Sequence, residues 1–215
     1  MSVLLGNTKV MPVAVAQMAL PPLPSDNPSP RVAPTEADPP EQVGRVATVS
    51  GLVSFRTQAD TQWTPVSINY PVSAGNAFRT EPTASADIDI ANSRLAMSGA
   101  TELTITRLDE GRLQAVAGQG EVYIHLRGLG RDEAWLIATP RGVVRLRAAG
   151  RYDIAVGTVD QPTLVTVLDG AASVDGPGLS VTARDNQTAI LTGSNPFQGS
   201  VGPAMRTDFL EARLA

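Results

Sequence analysis

The chain has 215 residues, no cysteine and a formal net charge of -4. Those totals exclude disulfides, thiolate nucleophiles and cysteine-ligated zinc. They also argue against a general nucleic-acid binder, which needs a basic face to release counterions from phosphates. Hydrophobic residues make up 42% and aromatics only 4%, so a core must be built mainly from Val, Leu, Ile and Ala. Sixteen of the seventeen basic residues are arginine. This is read as genomic base-composition bias, not chemistry.

The N-terminal "KVMPVAVAQ" has one positive charge, a short apolar run and an Ala-Val-Ala ending at Ala16. It reads either as the remnant of a secretory signal or as a disordered leader. Leu20 to Pro40 holds eight of the seventeen prolines and reads as an extended linker. Residues 1–42 are therefore expected to lie outside the folded body. No apolar run approaches the roughly 20 residues of a spanning helix, so any membrane association is expected to be peripheral.

From Val43 the pattern changes to short alternating runs closed by Gly, Asn, Asp or Pro. "ADIDIA" sets Asp87 and Asp89 against Ile88 and Ile90. "EVYIHLR" puts Val122, Ile124 and Leu126 opposite Tyr123, His125 and Arg127. "VVRLRA", "RYDIAV", "TLVTVLDG", "LSVTA" and "TAILTG" continue the texture. No internal window sustains a 3.6-residue period. The expectation is an all-β domain over residues 43–193 with about ten to twelve strands, a compact roll or sandwich. "VATVSGLVSF", "LQAVAGQGEVYI" and "VTVLDGAASV" each read as strand, Gly turn, strand. "GSNPFQGSVGP" reads as a loop, and "AMRTDFLEARLA" as a short C-terminal helix with Met205, Phe209 and Leu210 on one stripe. The pattern runs to the chain end without a C-cap, which favours a piece of a longer protein over a helix docked on the domain.

These segments together resemble the FecR-like β-domain. They are "GRVATVSGLVSF", then W-T-P with "NYPVSAGNAFRT", "ADIDIANSRLAM", "EGRLQAVAGQGEVYIHL", "ATPRGVVRLRAAGRYDIAV" and "VTVLDGAASV". The nearest likeness is to uncharacterised FecR-related envelope proteins of proteobacteria. The resemblance implies an all-β roll outside the inner membrane. The best-known members carry a signal from an outer-membrane receptor to a sigma factor, and they have a cytoplasmic segment and a membrane helix that this sequence does not display. A second departure is Ala149-Gly150-Arg151-Tyr152, where signalling members show Gly-Thr.

The catalytic inventory is thin. His125 is the only histidine, and no Gly-x-Ser-x-Gly elbow is present. Asp87 and Asp89 are better read as the polar face of a half-buried strand than as an acid–base pair. "GLGRDE", "GQGEVY" and "DGPGLS" lack the spacing of phosphate loops and read as turns. No enzyme activity, cofactor or metal is expected. Trp63 and Tyr70 flank prolines and can stack on a sugar or peptide, although Trp63 is read first as a core cap. Four arginines, Arg141, Arg145, Arg147 and Arg151, fall in one short stretch. Thr139-Pro140-Arg141-Gly142 reads as a turn. Arg145 and Arg147 then share a strand face and can grip a carboxylate or phosphate. Arg145, Arg147, Trp63 and Tyr70 are the expected ligand contacts. The expected partner is an envelope protein or a polysaccharide, and not nucleic acid. The expected role is a periplasmic or secreted binding or scaffold module, with a FecR-type sensory regulator and a polysaccharide-binding module as alternatives.

Overall fold

The computed structural model describes residues 43–194 and 196–215, so the signal and linker expectations lie outside the described residues. In chain order the first strands are β1 (Gly44–Ser50), β2 (Val53–Arg56), β3 (Thr64–Pro65), β4 (Pro71–Val72), β5 (Ala77–Thr80), β6 (Ser85–Ile90), β7 (Ser93–Met97), β8 (Glu102–Asp109) and β9 (Arg112–Leu126). Then follow β10 (Ala134–Thr139), β11 (Gly142–Leu146), β12 (Gly150–Val156), β13 (Thr163–Asp169), β14 (Ala171–Gly176), β15 (Leu179–Arg184), β16 (Gln187–Thr192), β17 (Gln198–Pro203) and the helix α1 (Asp208–Leu214). All-β architecture is thus observed. The strands outnumber the expectation in part because β3 and β4 are only two residues long and because "GSNPFQGSVGP" contains β17.

The strands form two layers. Layer A runs β4-β1-β6-β7-β9-β12-β13-β16-β17, and layer B runs β3-β2-β5-β8-β9-β10-β11-β14-β15. Every pairing is antiparallel except β9–β10. Strand β9 belongs to both layers. Its first half pairs with β8 and β10, and Gly120 to Leu126 pairs with β12. Here the sequence reading of "AVAGQGEV" as strand, turn, strand is corrected. Gly118 and Gly120 carry one continuous strand across from layer to layer.

Gly120 is the close point of that crossing. Its φ is +83°, and a Cβ there would lie 2.2 Å from Thr101 Oγ1. That hydroxyl is itself held between the Glu121 amide and carbonyl. Gly120→Ala is expected to combine left-handed backbone strain with overpacking and to cost about 2–4 kcal/mol. The check is a urea melt, read as a lower midpoint at an unchanged slope.

Alternation fills the space between the layers. Val46, Ile88, Leu95, Ile124, Ile154 and Val165 from layer A meet Val53, Phe78, Leu103, Ile105, Ile137 and Val144 from layer B in one cluster. β-branched and leucine side chains suit these positions because they pack on a pleated surface with little rotamer freedom to lose. Tyr152 is the largest fully buried side chain. Its hydroxyl donates to Ala148 O at 2.6 Å and accepts from Ala171 N at 3.3 Å, which satisfies the one polar atom it brings inside.

The helix α1 docks on the outer face of layer A, the alternative that the sequence reading disfavoured. Its N-cap Thr207 accepts from Leu210 N at 3.1 Å. Leu210 is fully buried against Ala96, Tyr123 and Leu168. One leucine under a seven-residue helix is worth roughly 2 kcal/mol of burial, so the polar contacts around it matter to docking.

Candidate functional site

The two outer faces differ. On layer A one row of cross-strand neighbours reads Arg45, Asp89, Arg94, His125, Arg151, Asp169. Asp89 accepts from Arg45 at 3.0 Å and from Arg94 at 2.8 Å, and Arg151 donates to Asp169 at 2.5 Å. The hydrogen bond from Arg94 is the chief reason that the Asp89 carboxyl titrates below its usual range. His125 is held below its ordinary pKa by burial, then by Arg127 and Arg151. Asp87, in the next row, pairs with Arg213 of α1. The aspartates are thus engaged by arginines, as the polar-face reading of "ADIDIA" anticipates, and α1 covers part of what remains.

Layer B presents the opposite case. Val144 and Leu146 are buried, so Arg145 of β11 and Arg147 just after it both point outward. Arg145 stands between Leu136 of β10 and Ser173 of β14. Arg147 Nε donates to Ser173 Oγ at 3.0 Å. Among the described residues, neither guanidinium has a carboxylate within 4.0 Å, in contrast to Arg45, Arg94 and Arg151. Beside them opens a cleft of about 420 Å³ lined by Leu129, Arg131, Glu133, Arg145 and Arg147. Its one acid, Glu133, is occupied: its carboxylate accepts from Gly130 N at 2.6 Å. Three arginines therefore face one carboxylate that is already engaged. On the same outer face Val116, Ala138 and Val143 form a cross-strand row, with Val116 and Val143 exposed at 41% and 39%. A basic cleft beside an apolar row can take an anionic group attached to an apolar body.

Arg131 was not legible as a site residue. "GLGRDE" reads as a turn, and only the crossover from the end of β9 to the start of β10 brings it beside β11.

The other expected contacts do not join this cleft. Trp63 and Tyr70 belong to the β2–β4 end of the fold, and β11 stands five strand positions from β2 in layer B. Trp63 is not a core cap: it is half-buried, with the Arg56 and Arg79 guanidiniums 4.7 and 5.7 Å from its ring centroid. Such stacking is a favourable use of an exposed indole. Tyr70 packs on Phe55 with centroids 4.0 Å apart. Burial raises the pKa of its phenol, so it stays protonated at neutral pH.

The remaining arginines of the stretch are structural. Arg151 is paired to Asp169. Arg141, at the β10–β11 turn, is 5% exposed. Its guanidinium donates to Gly193 O at 3.1 Å, Thr163 Oγ1 at 3.1 Å, Thr158 O at 2.5 Å and Val159 O at 3.4 Å. It therefore staples two loops to the hairpin.

Among the described residues, no three His, Asp or Glu side chains gather as a metal site, and no helix is long and apolar enough to cross a membrane.

No curated protein matches the chain. Two crystal structures of a proposed anti-sigma factor from Parabacteroides distasonis ATCC 8503 share the fold, each at a TM-score of 0.52. They are 11% and 12% identical, and each match covers 60% of this chain and 59% of that one. The match thus spans about three-fifths of those solved chains. Residues 76–173 match the family model described as FecR protein. That segment runs from β5 into β14 and takes in the shared strand β9, the buried Arg141 turn, Arg145 of β11 and Arg147 just beyond it, so this stretch of the chain matches a FecR domain.

Proposed function

We propose that this protein is a non-enzymatic, FecR-type regulatory β-domain of the cell envelope that binds an envelope protein through the outer face of layer B. The observation that carries this reading is the asymmetry of the two faces. Layer A is closed by its own ion pairs and by α1. Layer B keeps Arg145 and Arg147 without carboxylate partners among the described residues, next to the Val116–Ala138–Val143 row with its two exposed valines. The FecR domain and the likeness in fold to a proposed anti-sigma factor support regulation over catalysis as the role. A regulatory domain of this kind acts by differential contact: the partner must bind one signalling state better than the other. Arg145 and Arg147 supply the polar, orientation-fixing part of that contact, and the valines supply the apolar part.

A photo-crosslinker placed at Val143 is expected to capture one envelope protein in cells. Arg145→Glu with Arg147→Glu is expected to cut the yield about tenfold or more, because like charge replaces attraction across the interface. A crosslinker at His125 on layer A is expected to capture nothing. A polysaccharide ligand would instead show as binding to cell-wall sacculi with no protein adduct, which would overturn the protein-partner reading.

A further inference from the structure

The outer face of layer A hides two side-chain polar atoms that have no partner among the described residues, Asp153 Oδ1 and Arg213 Nε. Arg213 belongs to α1, and Asp153 stands in the cross-strand row Tyr123–Asp153–Thr166–Thr188, whose other members touch Leu210 or Met205 of the C-terminal segment. Asp153, on β12, is 1% exposed. Another carboxyl, Glu121 of β9, lies on the same outer face, two residues along β9 from the Tyr123 that pairs with Asp153. The Glu121 carboxylate in turn accepts from the hydroxyl of Thr207, the N-cap of α1. The stretch before α1 is fastened to the sheet beside this pair. Met205 N donates to Thr188 Oγ1 at 2.8 Å, and Thr166 Oγ1 donates to Met205 O at 3.1 Å. At the other end Arg213 is held by Asp87, with one contact at 3.3 Å.

A carboxyl that is 1% exposed, with one oxygen unpartnered among the described residues and a second carboxyl nearby, is far cheaper to bury protonated than ionised. Burial first, then the Glu121 charge, pushes the Asp153 carboxyl up to about 9. The other groups facing Asp153 do not relieve it. From β9 comes the Tyr123 phenol, itself raised by burial. From β6 comes Asp87, taken by Arg213 of α1. Arg151 of β12 is taken by Asp169 of β13. Thr166 and Thr188 of β13 and β16 are uncharged, and they bond each other at 2.8 Å.

We propose that residues 204–215 form a proton-controlled strap, docked on layer A while the buried Asp153 carboxyl holds its proton and released when that proton is lost. Release bares Ala96, Tyr123 and Leu168, an apolar patch that the docked Leu210 covers. The sign follows from linkage. The docked state binds a proton that the open state, with Asp153 hydrated, gives up. Docking is therefore strongest in acid and weakens as pH rises toward the docked value. The docking constant falls by up to about tenfold per pH unit over that window. The inference does not depend on the layer B interface.

Trypsin cleavage after Arg206 reads strap opening directly. Rates are followed by mass spectrometry from pH 6.5 to 9 and divided at each pH by those of a Leu210→Ala chain, whose strap is open throughout. The normalised rate is expected to climb by up to about tenfold per pH unit in the native chain. It is expected to stay flat in Asp153→Asn, where the amide cannot ionise at any pH. Glu121→Gln, which removes the like charge, is expected to show a shallower climb, so the idea stays testable if one variant misfolds. A flat native profile, or an equal climb in Asp153→Asn, would overturn the strap.

Discussion

Arg141→Met is expected to destabilise the domain by about 3–5 kcal/mol, while Arg145→Met, four residues on, shifts stability by less than about 0.5 kcal/mol. The two arginines lie in the same stretch and differ only in where the fold puts them. Arg141 is buried and gives its donors to three carbonyls and the Thr163 hydroxyl. Methionine keeps the apolar stem but leaves those oxygens dry and unpaired, each at about 1–3 kcal/mol before relaxation. The loops around Thr158 and Gly193 then lose their common anchor. Arg145 is half-buried on the outer face and has no partner carboxylate among the described residues. Urea denaturation at pH 7 measures both. Equal small losses would mean that the Arg141 staple is dispensable, and equal large losses would mean that Arg145 is structural and unavailable as a contact.

Asp153→Asn is expected to do the reverse and stabilise the protein. A carboxyl near 4 in the unfolded chain and near 9 in the fold must take up a proton on folding at neutral pH. Each pH unit between the solution and the unfolded value costs about 1.4 kcal/mol. With its raised folded value, Asp153 contributes most favourably in acid and progressively less as pH rises toward 9. Asparagine is isosteric and cannot ionise. The expected gain is about 2–4 kcal/mol at pH 7 and about 1 kcal/mol at pH 5. Matched urea melts at the two pH values check this. A loss of stability at pH 7, or a gain that does not grow with pH, would mean that the Asp153 carboxyl is not held protonated. Retention of so costly a carboxyl fits a switch better than a fastening, because a fastening alone would be improved by removing it.

Where residues alternate, the fold was legible. "VVRLRA" places Val144 and Leu146 inward and Arg145 and Arg147 outward, and β11 and the residue after it are built that way. "ADIDIA" likewise puts Ile88 and Ile90 in the core. Legibility failed where partners distant in sequence decide the outcome. Strand β17 has no side-chain pattern to read: Gln198 to Pro203 is glycine- and serine-rich, and backbone pairing with β16 alone makes it a strand. Gly118 and Gly120 look like a hairpin turn, yet they mark a change of layer within β9. Asp153 occupies an ordinary polar position of "RYDIAV". Only the C-terminal segment, arriving from the far end of the chain to touch its row neighbours Tyr123, Thr166 and Thr188, sets that position apart. Trp63 was expected in the core because aromatics are scarce here, but two arginines supply it with a surface site.

The claim that layer B is the working face is tested most directly by comparing crosslinkers at Val143 and His125 in the same cells, with and without Arg145→Glu and Arg147→Glu. The account predicts one envelope-protein adduct from Val143, lost in the double variant, and none from His125. An adduct from His125 alone, or a Val143 adduct that the charge reversals leave at full yield, would contradict it.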